Sequence, residues 1–191
     1  MEATTTPSKL LAAEQSVLMV VDVQERFVPV IHDVYTMSDN IAVLIQAACI
    51  LDVPVIVTEQ YPKGLGPTIS QLKQVFPEES GAVKVFEKTE FGSLTDANIQ
   101  NAIPTGRKQL VVCGIETHVC VNQTVHQALE QGLQTHVVRD AVSSRHPDNH
   151  VTALQKMTQS GAVPTTTEMV LFEWLSTSKH PQFKAIQQLI K

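Results

Sequence analysis

The chain has 191 residues, 43% of them hydrophobic and 17% charged, with a formal net charge of -5. That balance suits one globular domain spanning 1–191, with its core at about 16–175 and a closing C-terminal helix to 191. The negative charge argues against nucleic acid or an anionic membrane as partner, and no apolar run is long enough to span a bilayer.

In chain order, residues 16–22 read as a buried strand stopping at an acid, Asp22. Helical periodicity over 38–51 follows a Ser38-Asp39 cap, and 53–58 reads as a second strand. Residues 59–67 (EQYPKGLGP) form a loop dense in Gly and Pro, expected to be ordered and functional. A third strand is predicted at 81–86, a helix near 94–102, and a fourth strand at 109–113 running into Gly114. A helix then covers about 117–130, a strand 134–138, a helix 150–160 and a short strand 162–165. Helices at 167–176 and 181–190 close the chain. Strands apolar on both faces and separated by helices predict a three-layer α/β/α sandwich on a mostly parallel, about six-stranded sheet. In such sheets ligands bind at the carboxyl edge of the strands. No G-x-G-x-x-G follows the first strand, so a nucleotide-binding reading loses its main support.

The segment LVVCGIETHVCVNQTVHQALEQG places Cys120 in the first turn of a helix at that edge. Orphan N–H groups and the helix dipole favour a thiolate there, and nearby N–H groups can receive an oxyanion. Thr117 is the expected N-cap. The plainer alternative is a small core residue, which is also the expectation for Cys49 and Cys113. Three cysteines at unrelated spacings argue against a disulfide framework and for a reducing, cytoplasmic compartment. Residues 1–6 lack the basic and apolar regions of a secretory signal. With no CxxC pair or HExxH helix, neither a metal nor a cofactor is expected. Asp22 ends the first strand, Lys88 follows the third and Cys120 the fourth, so parallel strands bring all three to one edge. A lysine ammonium there would favour the thiolate, and an aspartate could hold the lysine and shuttle the thiol proton.

The segments VVDVQERF (20–27), FEKTEFG (86–92) and GIETHVCV (114–121) resemble the isochorismatase-like cysteine hydrolase superfamily, over about 16–175. The resemblance implies that Asp22, Lys88 and Cys120 form a catalytic triad. It also implies a non-proline cis peptide joining Ile115 to Glu116, with backbone N–H groups, including that of Cys120, aimed at the oxyanion. Two departures refine it. The histidine-bearing metal motif of nicotinamidases is replaced by Thr58-Glu59-Gln60-Tyr61-Pro62. The namesake isochorismatases lack the cysteine, so Cys120 argues against vinyl-ether hydrolysis. The loop 58–68 with GIETHVC looks more like the isochorismatase-domain-containing subgroup. The implied activity is hydrolysis of a small amide-like C–N bond through a Cys120 thioester, in a homo-oligomer (dimer or tetramer).

Around the triad, Phe27, Gln60, Tyr61, Phe91, Thr117 and His118 are the candidate pocket residues. His118 lies two residues from Cys120 and so on another helix face, which suits a rim or interface role better than a base. His126 is expected on the helix surface or in packing, His136 as a satisfied polar residue, and Asp140 in loop-fixing hydrogen bonds. Trp174 and Phe172 are expected against the sheet or another subunit. Two alternatives stand beside hydrolysis: thiol redox chemistry, since Thr117-x-x-Cys120 echoes a peroxidase arrangement, and a non-catalytic interaction module that keeps the triad.

Overall fold

The computed structural model describes residues 9–77 and 81–191; the N-terminal stretch read above for a signal lies outside them. The first strand, β1 (Ser16–Val21), is buried along its whole length, and its side chains divide between two cores. Leu18 and Val20 enter one core, while Val17, Met19 and Val21 enter the other. Strand side chains alternate in direction, so such a segment is stable only when both faces are covered.

The rest of the chain supplies that cover. After β1 come α1 (Val34–Ile50), β2 (Val55–Gln60), the short α2 (Pro62–Leu65) and α3 (Ser70–Lys73), then β3 (Val83–Lys88) and α4 (Ala97–Ala102). They are followed by β4 (Gln109–Ile115), α5 (Asn122–Glu130), β5 (Gln134–Ser143), α6 (Pro147–Gln159), β6 (Val163–Thr165), α7 (Thr167–Leu175) and α8 (Phe183–Gln188). Ile41, Leu44 and Ile45 of α1, Leu72 of α3, Val170, Leu171 and Trp174 of α7 and Ile186 of α8 share the first core. Ile99 of α4, Val125 of α5 and Met157 of α6 share the second. Each fully buried side chain of this size contributes roughly 1.5–3 kcal/mol of burial.

All strand pairs are parallel, in the order β3-β2-β1-β4-β5-β6. The expected parallel sandwich is therefore the observed fold. Several boundaries differ from those read in the sequence. Helix α1 begins four residues before Ser38, because Val34 and Met37 extend its buried face; Ser38 is itself buried inside it. Asp33, at φ +49°, turns the chain into that helix without a side-chain cap. Strand β3 is the half-exposed edge, with Lys84 and Glu87 among its apolar residues, and Lys88 is its last residue rather than a loop residue. Strand β5 runs to Ser143, twice the expected length, and shifts register opposite Val112–Gly114.

Candidate active site

Strand order reverses between β1 and β4, and a crevice at that reversal is where open parallel sheets bind ligands. Asp22 follows β1 directly. Its backbone is left-handed at φ +53°, and its N–H bonds to the Thr58 carbonyl at 3.1 Å. Non-glycine residues adopt this conformation rarely, and they concentrate at sites where the surroundings enforce it. The turn aims the carboxylate across the end of β2. There Oδ1 accepts from Thr58 Oγ1 at 2.7 Å, and Oδ2 pairs with Lys88 Nζ at 2.6 Å. Both partners are almost wholly buried, at 1% and 4% exposure.

The Lys88 ammonium has further acceptors: Gln60 Oε1 at 2.8 Å and the carbonyls of Glu90 and Phe91, both at 3.1 Å. With Asp22 that makes four acceptors around three N–H bonds. A buried ion pair persists only when its spare valences are satisfied in this way.

On β4, Gly114 sits at φ +113° against the end of β1; a Cβ there would lie 2.1 Å from the Val21 carbonyl oxygen. Only glycine lets the two strand ends approach so closely, which brings the segment after β4 against Asp22. The Ile115–Glu116 peptide is cis. One turn of π-helix, Thr117–Val121, then carries Cys120 before α5 begins. The Glu116 carbonyl accepts from Val119 at 2.9 Å and Val121 at 3.3 Å, the i+3 and i+5 positions. Such widened turns occur often at functional sites.

Cys120 is 7% exposed. Burial, then the Asp22 carboxylate by charge and hydrogen bonding, push its thiol well above the ordinary range, and Glu116 adds to this; Lys88 opposes without prevailing. Desolvation and two acids outweigh one ammonium that is already paired, so the surroundings favour the thiol where a helix start and a lysine alone would favour the thiolate.

Two supporting segments grip this arrangement. The side-chain amide of Gln24 is buried and donates to the carbonyls of Gln60 at 3.0 Å and Gly66 at 2.6 Å. It also accepts from the Gln60 N–H at 2.8 Å. On the other side, Glu116 accepts from the Arg145 N–H and Nε, both at 3.0 Å. Thr117 Oγ1 lies 3.0 Å from His150 Nδ1, and His118 Nδ1 lies 3.0 Å from Ser144 Oγ. Burial, Arg139 and His32 hold the His150 imidazole below its usual range.

The structure brings Asp22, Lys88 and Cys120 together, but it reassigns several neighbours. Thr117 is not the N-cap: Glu116 holds that position, and the Thr117 hydroxyl is buried against His150. Gln60 spends its side chain on Lys88 Nζ and the Thr89 carbonyl (2.6 Å), so it orients the lysine rather than lining open space. His118 is turned toward Ser144. Phe27 packs partly buried against the first core, whereas Tyr61 and Phe91 are more than half exposed. A cavity of about 340 Å³ opens beside Lys88, with Tyr61, Glu87, Glu90 and Asp96 in its wall. Gln24, Thr58, Arg145 and His150 were missed in the sequence; for Gln24 and Thr58 the available signal was their place at the ends of β1 and β2.

Farther away, Asp140 fixes the entry to α7 by accepting from the Thr167 N–H and hydroxyl. His126 bonds the Asn122 carbonyl and Ser160. His136 is only half satisfied: Nε2 meets Gln134, while Nδ1 is buried without a partner. Cys113 is fully buried and Cys49 half-buried. Trp174 packs in the first core and Phe172 is exposed. Among the described residues, no group of three or more His, Cys, Asp and Glu side chains is arranged to hold a metal.

Comparison with known proteins places this geometry. The isochorismatase domain model matches residues 16–169. Isochorismatase domain-containing protein 2 of Danio rerio is 40% identical over 182 residues, 94% of this chain and 89% of that one. The structure of MAR1 ribonuclease from Caenorhabditis elegans superposes with a TM-score of 0.89 at 40% identity, covering 95% of this chain and 92% of that one. YcaC from Pseudomonas aeruginosa, solved with hexane-2,5-diol and covalent acrylamide, gives a TM-score of 0.87 at 26% identity, covering 97% and 93%.

Proposed function

The chain belongs to the isochorismatase family, and from that premise we propose that it is a cysteine hydrolase that cleaves a small amide-like C–N bond. One observation carries the proposal: a buried carboxylate, locked by Lys88, is set against the buried Cys120 side chain at the start of a helix. Asp22 takes the proton of Cys120 as the sulfur attacks the substrate carbonyl, so the costly buried thiolate is never free. Backbone N–H groups at Glu116 and Cys120 receive the oxyanion. Asp22 then passes the proton to the leaving amine, and the acyl group remains on sulfur as a thioester. Water, deprotonated by Asp22, attacks that thioester, releases the acid and restores the thiol. Lys88 keeps Asp22 oriented and stabilises its charge throughout.

The Pseudomonas aeruginosa relative, solved with covalent acrylamide, is a protein of this fold that carries a nucleophile able to bond a small electrophile. The name of the nematode relative raises ribonuclease activity as a second reading. A net charge of -5 and a Lys88 without a spare donor disfavour a phosphodiester polyanion. The peroxidase-like alternative is weakened because the Thr117 hydroxyl is committed to His150. A homo-oligomer, with exposed Tyr61 and Phe91 beside the site, belongs to the same proposal.

The test is Cys120→Ala and Cys120→Ser, assayed on a panel of small primary amides. Each should lower turnover at least about 10³-fold while thermal unfolding stays cooperative. Activity retained in Cys120→Ala, or substrate-level cleavage of RNA that needs none of the three residues, would remove the assignment.

A further inference from the structure

We propose that this site selects against anionic substrates, taking small amides that are uncharged or carry an ammonium group and rejecting their carboxylate-bearing twins. The inference rests on the cysteine-hydrolase reading above and deepens it. Its starting point is the saturation of Lys88. An ammonium has three N–H bonds, and this one already faces Asp22 Oδ2, Gln60 Oε1 and the carbonyls of Glu90 and Phe91 within 3.1 Å. No donor is left to anchor a substrate carboxylate. The charge of Lys88 is also neutralised at 2.6 Å by Asp22, so it projects little field into the crevice.

The other charged groups near the sulfur point the same way. Glu116 is 6% exposed and sits at the start of the turn that carries Cys120. The cation nearest to it, Arg145, is turned onto the Glu116 carboxylate through Nε and its own N–H. The cavity at the end of β3, whose lining includes Lys88 but neither Asp22 nor Cys120, carries Glu87, Glu90 and Asp96 against one further lysine, Lys63. Asp22 and Glu116 are the acids that push the Cys120 thiol upward, with Lys88 opposing them. A carboxylate entering would lose its water, find no spare donor on Lys88 and stand beside two buried acids, which is a built-in discrimination. The helix start at the turn can still receive an oxyanion, because that charge develops on the oxygen of the carbonyl carbon that the sulfur has just bonded.

The experiment uses two alkylating agents of nearly equal size, iodoacetamide and iodoacetate, with bromoethylamine as a cationic third. Second-order rates of Cys120 modification are followed by intact and peptide mass, and each is divided by its rate on N-acetylcysteine amide. The normalised preference for iodoacetamide over iodoacetate should be roughly tenfold or more at low ionic strength and should shrink as salt is added. A normalised ratio near one, or faster modification by iodoacetate, would overturn the charge selection while leaving the nucleophile assigned. No modification of Cys120 by any of the three would instead overturn the hydrolase reading beneath it.

Discussion

Both ends of the sheet bury polar side chains, and the contrast between them separates stability from chemistry. At the amino end, Gln109 donates to the Leu10 carbonyl at 2.9 Å and accepts from the Ala12 N–H at 2.8 Å and Ser16 Oγ at 3.2 Å. Trp174 Nε1 bonds Ser16 Oγ at 2.9 Å, and Arg107 gives to the carbonyls of Ala13 and Ser16, both at 2.6 Å. Those bonds tie termini and loops together, and none involves a reactive atom. At the carboxyl end, a carboxylate and an ammonium are buried together, and burial and the carboxylate push the thiol of the adjoining Cys120 upward. The first kind of network stabilises by satisfying buried backbone carbonyls and neutral side chains, with the half-buried Arg107 as its one charged donor. The second retains charge in a dry place, which is costly unless the charge is used.

Substitutions at each end should separate the two roles. The largest stability effect is expected at the joint between the reactive strands. Gly114→Ala would drive a methyl group into the Val21 backbone at a positive φ, and it should cost about 4 kcal/mol in urea unfolding and displace Cys120 from Asp22. Next comes His136, in the middle of β5, whose imidazole is lowered by burial, and then by Lys9, to about 4. A lowered folded-state value means that folding favours the neutral ring. Its contribution is therefore intact above pH 6.5 and is lost as pH falls from 6.5 toward 4, by about 3 kcal/mol in all. His136→Gln should remove that part of the acid sensitivity when unfolding is compared at pH 7 and pH 4. The smallest effect belongs to the amino end: Trp174→Phe deletes the bond to Ser16 and should cost about 1 kcal/mol with turnover unchanged.

Much of this contrast is legible in the amino acids. Short runs such as VLMVV and LVVC, apolar on both faces, imply buried parallel strands, and parallel strands imply that Asp22, Lys88 and Cys120 meet at one edge. Boundaries were less legible. The start of α1 follows from the burial of Val34 and Met37, a tertiary fact that overrides the Ser38-Asp39 cap signal. The length of β5 depends on a register shift against β4 that no local pattern encodes. The protonation state of the sulfur was the least legible feature. A helix start and a nearby lysine argue for thiolate when considered alone. The outcome turns on how deeply Cys120 is buried and on Asp22, Glu116 and Lys88, which come from three segments far apart in sequence. Gln24 and Arg145 escaped for the same reason, since their partners are backbone groups and acids fixed only by the fold.

That Asp22 keeps the proton on the Cys120 sulfur in the resting enzyme can be read from the pH dependence of iodoacetamide modification at Cys120, in the wild-type protein and in Asp22→Asn. The wild-type rate should rise only above the ordinary thiol range near pH 8.5, and Asp22→Asn should move the rise to lower pH while abolishing amide turnover. A wild-type profile that is already complete at neutral pH, or one that Asp22→Asn leaves in place, would contradict the account.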